Sequence, residues 1–329
     1  LSDVTFTGNS ASEQGGGIYN RSSAPELSGC SFEGNSAYEG GGMYSENDSN
    51  PQLSNSSFAG NSAGYRGGGM FNSSHSSPAL TGCSFSNNTS IYHGGGMVNV
   101  TYSSPTLTDC SFTGNTAEYY GGGIYNWNYS SPTLTDSSFT SNSAGEGGGG
   151  MYVDYYSSPT LSTVTFSGNT AGVGGGMFIL DNSSPTLADC IFAANSAELG
   201  GGTYTWNSSP ILSDCTFAEN SADYDGGGMW NLQSPATLTN VTFWRNWAGH
   251  QGGGMYNNYS APVLTNGTVW GNITEGSGGG IYLPHSSPVL TNCILWGDTP
   301  NEIVKTPGSF PAVTYSDVEG NYPGMGNLD

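Results

Sequence analysis

The residues best suited to chemistry are acidic and come in pairs. Asp109 and Asp136 lie 27 positions apart, and Asp189 and Asp214 lie 25 apart. If the chain repeats at that interval, each pair sits side by side on neighbouring turns. Two adjoining carboxylates suit calcium binding or general acid–base work. Polysaccharide cleavage would also need a cation beside the scissile sugar. The chain has four cations, Arg21, Arg66, Arg245 and Lys305, and they are far apart in sequence. His75, His93, His250 and His285 are equally scattered. The Asp slot holds Asn, Gly or Thr in other copies, the pattern of a solvated corner rather than a catalytic centre. No catalytic residue, cofactor or metal site is therefore expected.

Asparagine is the second candidate chemistry. Fourteen Asn-x-Ser/Thr acceptors occur. Eight share one polar turn and are the glycosylation candidates: Asn20, Asn47, Asn72, Asn99, Asn128, Asn182, Asn207 and Asn258. Six cysteines, Cys30, Cys83, Cys110, Cys190, Cys215 and Cys293, occupy one slot. Their spacing matches no zinc site. A small buried filler is expected there, with Cys83/Cys110 and Cys190/Cys215 close enough in register for a bridge.

What must position these residues is a repeat. Aligned on Phe6, Phe32, Phe58, Phe85, Phe112, Phe139, Phe166, Phe192, Phe217, Phe243, Val269 and Leu295, the chain divides into twelve copies spaced 25 to 27 residues apart. Three positions after the anchor stands Asn9, Asn35, Asn61, Asn88, Asn115, Asn142, Asn169, Asn195, Asn220, Asn246 or Asn272, and Asp298 in the last copy. A Gly triplet, Met or Ile, an aromatic, a polar turn, Pro and Leu complete the unit. Leu alternates with Thr or Ser, and Cys with Ser before Phe. That period of two is the mark of strands. Three strands in about 26 residues predict an all-β, right-handed parallel β-helix, a β-solenoid of about twelve coils. At ~4.8 Å per rung the rod would be roughly 58 Å long. Residues 1–298 are the repeats, and 299–329 are expected to form a non-repeat tail that caps or docks.

Identical slots stack into ladders in a solenoid. Phe, Leu and Met or Ile are expected to face inward, because seven of the eight methionines follow the Gly triplet. The asparagines are expected to form a polar ladder at a bend. The next slot after Met, with Tyr19, Tyr44, Phe71, Tyr125, Tyr152, Phe178, Tyr204, Trp230, Tyr256 and Tyr282, is expected to point outward as an aromatic stripe. Such a stripe stiffens the rod or offers flat rings to sugars and partners. Thr106/Thr108, Thr133/Thr135 and Thr237/Thr239 make a partial Thr array, interrupted by Ala188, Ile211 and Val263.

A GG-x-I/M element paired with F-x-x-N resembles the repeats of chlamydial polymorphic outer-membrane proteins and of bacterial secreted right-handed β-helix repeat proteins. Here the third position of the Gly element is Gly rather than the Ala common in that family. The segment Thr314-Tyr315-Ser316-Asp317-Val318 is similar to the closing segment of the secreted proteins. The resemblance implies an extracellular or surface role, often adhesive.

Composition sets the limits. Net charge is −21 with 53 glycines in 329 residues. Such a chain repels phosphate, so no nucleic-acid or anionic-membrane partner is expected. No 18-residue apolar run exists, so no membrane insertion is expected. The sequence opens inside a repeat without an initiator Met, which predicts processing or truncation. Exposed strand edges at solenoid ends invite stacking, so head-to-tail self-association is expected. Glycans or cell-surface polysaccharide are the other expected partners. The reading that results is a non-enzymatic extracellular surface or fibre protein, with an adhesin or carbohydrate-binding module and a polysaccharide lyase or hydrolase as alternatives.

Overall fold

In the computed structural model, which describes residues 1–320 and 322–328, every named strand is short and every strand pairing is parallel. One coil shows the plan: Thr106–Thr108, Ser111–Thr113, Thr116–Ala117 and Ile124–Trp127. Each strand pairs with its equivalents one coil before and after. Phe112 lies between Phe85 and Phe139, and Leu107 between Leu80 and Leu134. The strands collect into four parallel sheets of 13, 12, 12 and 10 strands, here named the Phe, Met, Leu and Ala sheets after their inward residue. The expectation of three strands per coil is thus corrected to four. The fourth strand is the Ser-Ala piece after the ladder Asn. It runs for only two to five residues, too few for alternation to register as a pattern.

The core is a column of ladders. Ten phenylalanines stack with centroids 4.5–4.9 Å apart and planes within 13° of parallel. Leu and Met or Ile ladders close the interior around them. The Gly triplet has two separate causes. Its first member adopts positive φ, as at Gly67 (φ 74°), which only Gly takes without strain. At its third member a neighbouring coil leaves no room: a Cβ on Gly42 would stand 2.5 Å from the Gly69 carbonyl oxygen and 2.9 Å from Phe58.

Past residue 298 the chain goes on stacking. Ile303–Lys305, Ala312–Thr314 and Asp317–Val318 add a rung to the Met, Leu and Phe sheets. The sequence repeat is lost after 298, but strand stacking continues, because Val313 and Val318 still fill inward slots. Asn321 and Asp329 of that segment lie outside the described residues.

Candidate functional site

The asparagine ladder is the most complete polar structure in the molecule. Asn35 through Asn272 are buried. At Asn142, Nδ2 donates to Asn169 Oδ1 (3.0 Å) and to the Phe112 carbonyl (2.9 Å). Its Oδ1 accepts from Asn115 N (3.0 Å) and Asn115 Nδ2 (2.9 Å). Both amide hydrogens and both lone pairs are used, so burial costs little. Every Nδ2 points the same way along the rod, and the final acceptor is the carboxylate of Asp298. A serine ladder at the turn before Pro is equally regular and was not evident in the sequence: Ser49 N, Ser76 N and Ser103 N each donate to the hydroxyl one coil on, at 3.1 Å.

The aromatic stripe does lie outside the main core, but it is not an exposed face. Tyr44, Phe71, Tyr125, Tyr152, Phe178, Tyr204 and Trp230 are buried in a second apolar cluster. Tyr256 and Tyr282 are half-buried, and only Tyr19 is exposed, at 43 %. The cover comes from the column that precedes the Gly triplets, Arg66, His93, Tyr120 and Val173, which folds back over the Met sheet. His93 stacks on Tyr125 (4.6 Å) and Tyr120 on Tyr152 (4.6 Å, tilted). Arg66 sits 5.3 Å over Phe71 while bonded to Glu39 at 2.9 Å. Burial, helped by the Arg66 charge, pushes His93 down to about 4, so it is neutral at physiological pH. Burial raises the Tyr152 hydroxyl, which bonds to Asp154.

The polar turn does not hold its eight acceptors alike. Asn20, Asn72 and Asn99 are buried, contrary to an exposed, modifiable turn. Asn72 Nδ2 donates to Asn99 Oδ1, and Asn99 Nδ2 to Asn126 Oδ1. They sit on the inward side of the Met sheet, two residues after Met, and form a second short amide ladder. Asn47, Asn128 and Asn258 are half-buried, and Asn182 and Asn207 are exposed.

The acidic pairs have a backbone explanation. Asp109, Asp136, Asp189 and Asp214 are exposed, with φ of 53°, 49°, 53° and 55°. The same slot is Gly29, Asn55, Gly82 and Asn240 in other coils, all at positive φ. Left-handed geometry favours Gly, Asn and Asp, which accounts for the free alternation. The six cysteines are buried free thiols. Cys110 donates to the Leu80 and Thr108 carbonyls, so the slot is a filler as expected.

Aromatic rows do reach solvent, in slots the sequence did not single out. His75, Tyr102, Tyr129 and Tyr156 stack at 5.1–5.3 Å with planes 4–6° apart. Parallel stacking at this distance turns each ring face to its neighbour and leaves mainly edges and hydroxyls outside. A second row, Trp244, Trp270 and Trp296, lies on the Phe sheet. Trp244 and Trp270 are 6.3 Å apart, and the Arg245 guanidinium is 4.8 Å over Trp244. Trp270 and Trp296 are 42 % and 41 % exposed.

One acidic site was also missed. Asp298, in the Asn slot, lies against Glu302; Asp298 N donates to Glu302 Oε1 at 3.0 Å. Burial raises both carboxyls, and with the Asp298 contact it carries Glu302 up to about 9. The switch from Asn to Asp at the twelfth copy was the available signal.

Against known families, the profile described as the right-handed β-helix region matches residues 1–111 and 81–222. The chain belongs to the right-handed β-helix family. No curated protein and no solved structure matches it. β-Helix domains occur in enzymes and in non-enzymes, so membership leaves the chemistry to the residues. In this β-helix the repeated polar residues are engaged in ladders and left-handed turns. The Trp row and the Asp298–Glu302 site are among the places where side chains retain unused binding capacity.

Proposed function

We propose that this β-helix is a non-enzymatic structural rod, displayed outside the cell as a surface or fibre subunit. The observation that carries the reading is the ladder system. Amide, hydroxyl and phenyl ladders run through most of the coils, and the candidate catalytic carboxylates hold positions that the backbone already explains. Side chains committed to neighbouring coils stiffen a rod and leave few for turnover. In a fibre, copies would meet end to end, strand edge to strand edge.

The Trp row favours a second reading, an adhesive or glycan-binding surface. Its looser spacing leaves indole surface in solvent, and indole stacks on sugars and marks interfaces. A lyase or hydrolase is the third. Incubation of the purified chain with acidic and neutral polysaccharides, with and without calcium, separates these. The structural reading expects no new reducing or unsaturated ends. Turnover that Asp109→Ala abolishes would refute it. Retention on a polysaccharide without turnover, lost in Trp270→Ala, would favour the adhesive reading.

A further inference from the structure

The passage from the Phe sheet to the Met sheet is cut short at one place. Nine positions separate Asn272 from Ile281, but five separate Asp298 from its counterpart Ile303. The Ala strand is reduced there to a single bridge, Thr299 against Ile273. Asn301 and Glu302 instead accept from Gly280 N and Ile281 N. Beside the shortened passage lies a cavity of about 510 Å³, lined by Asp298, Thr299, Glu302, Val318, Glu319 and Tyr322 among others.

Two buried side chains bring unused oxygens to this cavity. Asp298, 6 % exposed, gives Oδ1 to Asn272 N (2.6 Å) and Asn272 Nδ2 (2.8 Å), and its Oδ2 has no partner. Glu302, 7 % exposed, gives Oε1 to Asp298 N, and its Oε2 has no partner. Glu319 at the rim is tied by Oε2 to Gly297 N (2.7 Å). No cation answers these acids. The ion pairs among the described residues are Arg21–Glu46 and Arg66–Glu39, both in the first three coils.

The ladder sharpens the conflict. In the rung before, Asn272 Nδ2 donates to the Phe243 carbonyl at 3.0 Å. At the next rung Asp298 has no amide hydrogen with which to repeat that bond. Two buried carboxylates side by side are costly unless a proton or a cation stands between them. All these groups are hard oxygen donors, the set that suits calcium. No three ionisable side chains close on one point among the described residues, so water and main-chain oxygen would fill the remaining positions.

We propose that this notch binds one divalent cation of the calcium class, through Asp298 Oδ2 and Glu302 Oε2, with main-chain oxygen and water completing the shell. The ion would pin the segment after Asp298 to the ladder's end. Chelator-treated full-length chain, titrated with calcium chloride near neutral pH by calorimetry and followed by thermal melting, provides the test. One tight calcium per chain and a raised melting temperature are expected. Asp298→Asn/Glu302→Gln should weaken binding by more than about tenfold, while Asp109→Asn, on the solvated corner, should bind as the parent does. The proposal is overturned if the parent chain shows no calcium response, or if the double variant binds as tightly as the parent. It is overturned equally if Asp298→Asn alone matches the melting temperature of a parent chain that calcium does not move, since a proton then fills the notch.

Discussion

Asn142 shows how one residue type holds the coil. It satisfies two donors and one carbonyl, and its own amide is spent in return. Asn142→Ala would leave Asn115 N without a partner in a dry interior, and would take one of two partners from Asn115 Nδ2, which keeps the Phe85 carbonyl. An unpaired buried group costs about 1–3 kcal/mol, so a loss of about 2–3 kcal/mol is expected, measurable by denaturant unfolding. An unchanged midpoint would mean that water enters the ladder. Glycines divide by cause in the same way. Gly42→Ala drives a Cβ into the Gly69 carbonyl and Phe58, an overpacking worth about 3 kcal/mol. Gly60→Asn meets nothing within 4 Å, and Asn87 already holds that slot at φ 52°. It should cost less than about 1 kcal/mol. Equal losses in the two variants would contradict this division. The ladder was legible at this scale because its residue type repeats in every copy but the last. The burial of Asn72 and Asn99 was not, since an Asn-x-Ser/Thr motif says nothing about which side of a strand it occupies.

At the scale of the element, period two tells which side of a strand a residue takes, but not whether the chain returns to cover that side. Met43 and Tyr44 alternate as expected, yet both are buried. The covering column, Arg66, His93, Tyr120 and Val173, varies too much in type to read as a repeat. The Ala strand escaped notice for its shortness, and the Tyr102 row because bulky residues at positive φ run against local preference. Covering has a pH consequence. His93 is held at about 4 by burial and by Arg66, and Tyr92, Tyr120 and Tyr125 surround it. Between its ordinary value near 6.5 and about 4, the unfolded chain takes up the proton and the folded chain does not. The stability that neutral His93 contributes is therefore full above about 6.5 and is lost as pH falls toward 4. Asp154 and Asp225, both raised by burial, drift the opposite way, so the comparison must be with His93→Gln. Melting temperature should fall more steeply in the parent than in the variant over that window. Parallel slopes would show that His93 is hydrated.

For the whole molecule, the number of coils and their direction of stacking followed from anchor spacing alone, because a fixed interval of 25 to 27 residues admits few folds. The stacking past residue 298 did not, since Ile303, Val313 and Val318 preserve inward volume without preserving the motif. Function was least legible. A repeat advertises what each coil needs, whereas a site such as Asp298 and Glu302 is a single departure from it. The rod's role is tested most directly by immunogold electron microscopy on the native source, with antibody raised against the folded chain. Label on filaments or on a layer at the outer surface is the predicted result. Label confined to the cell interior would contradict the account.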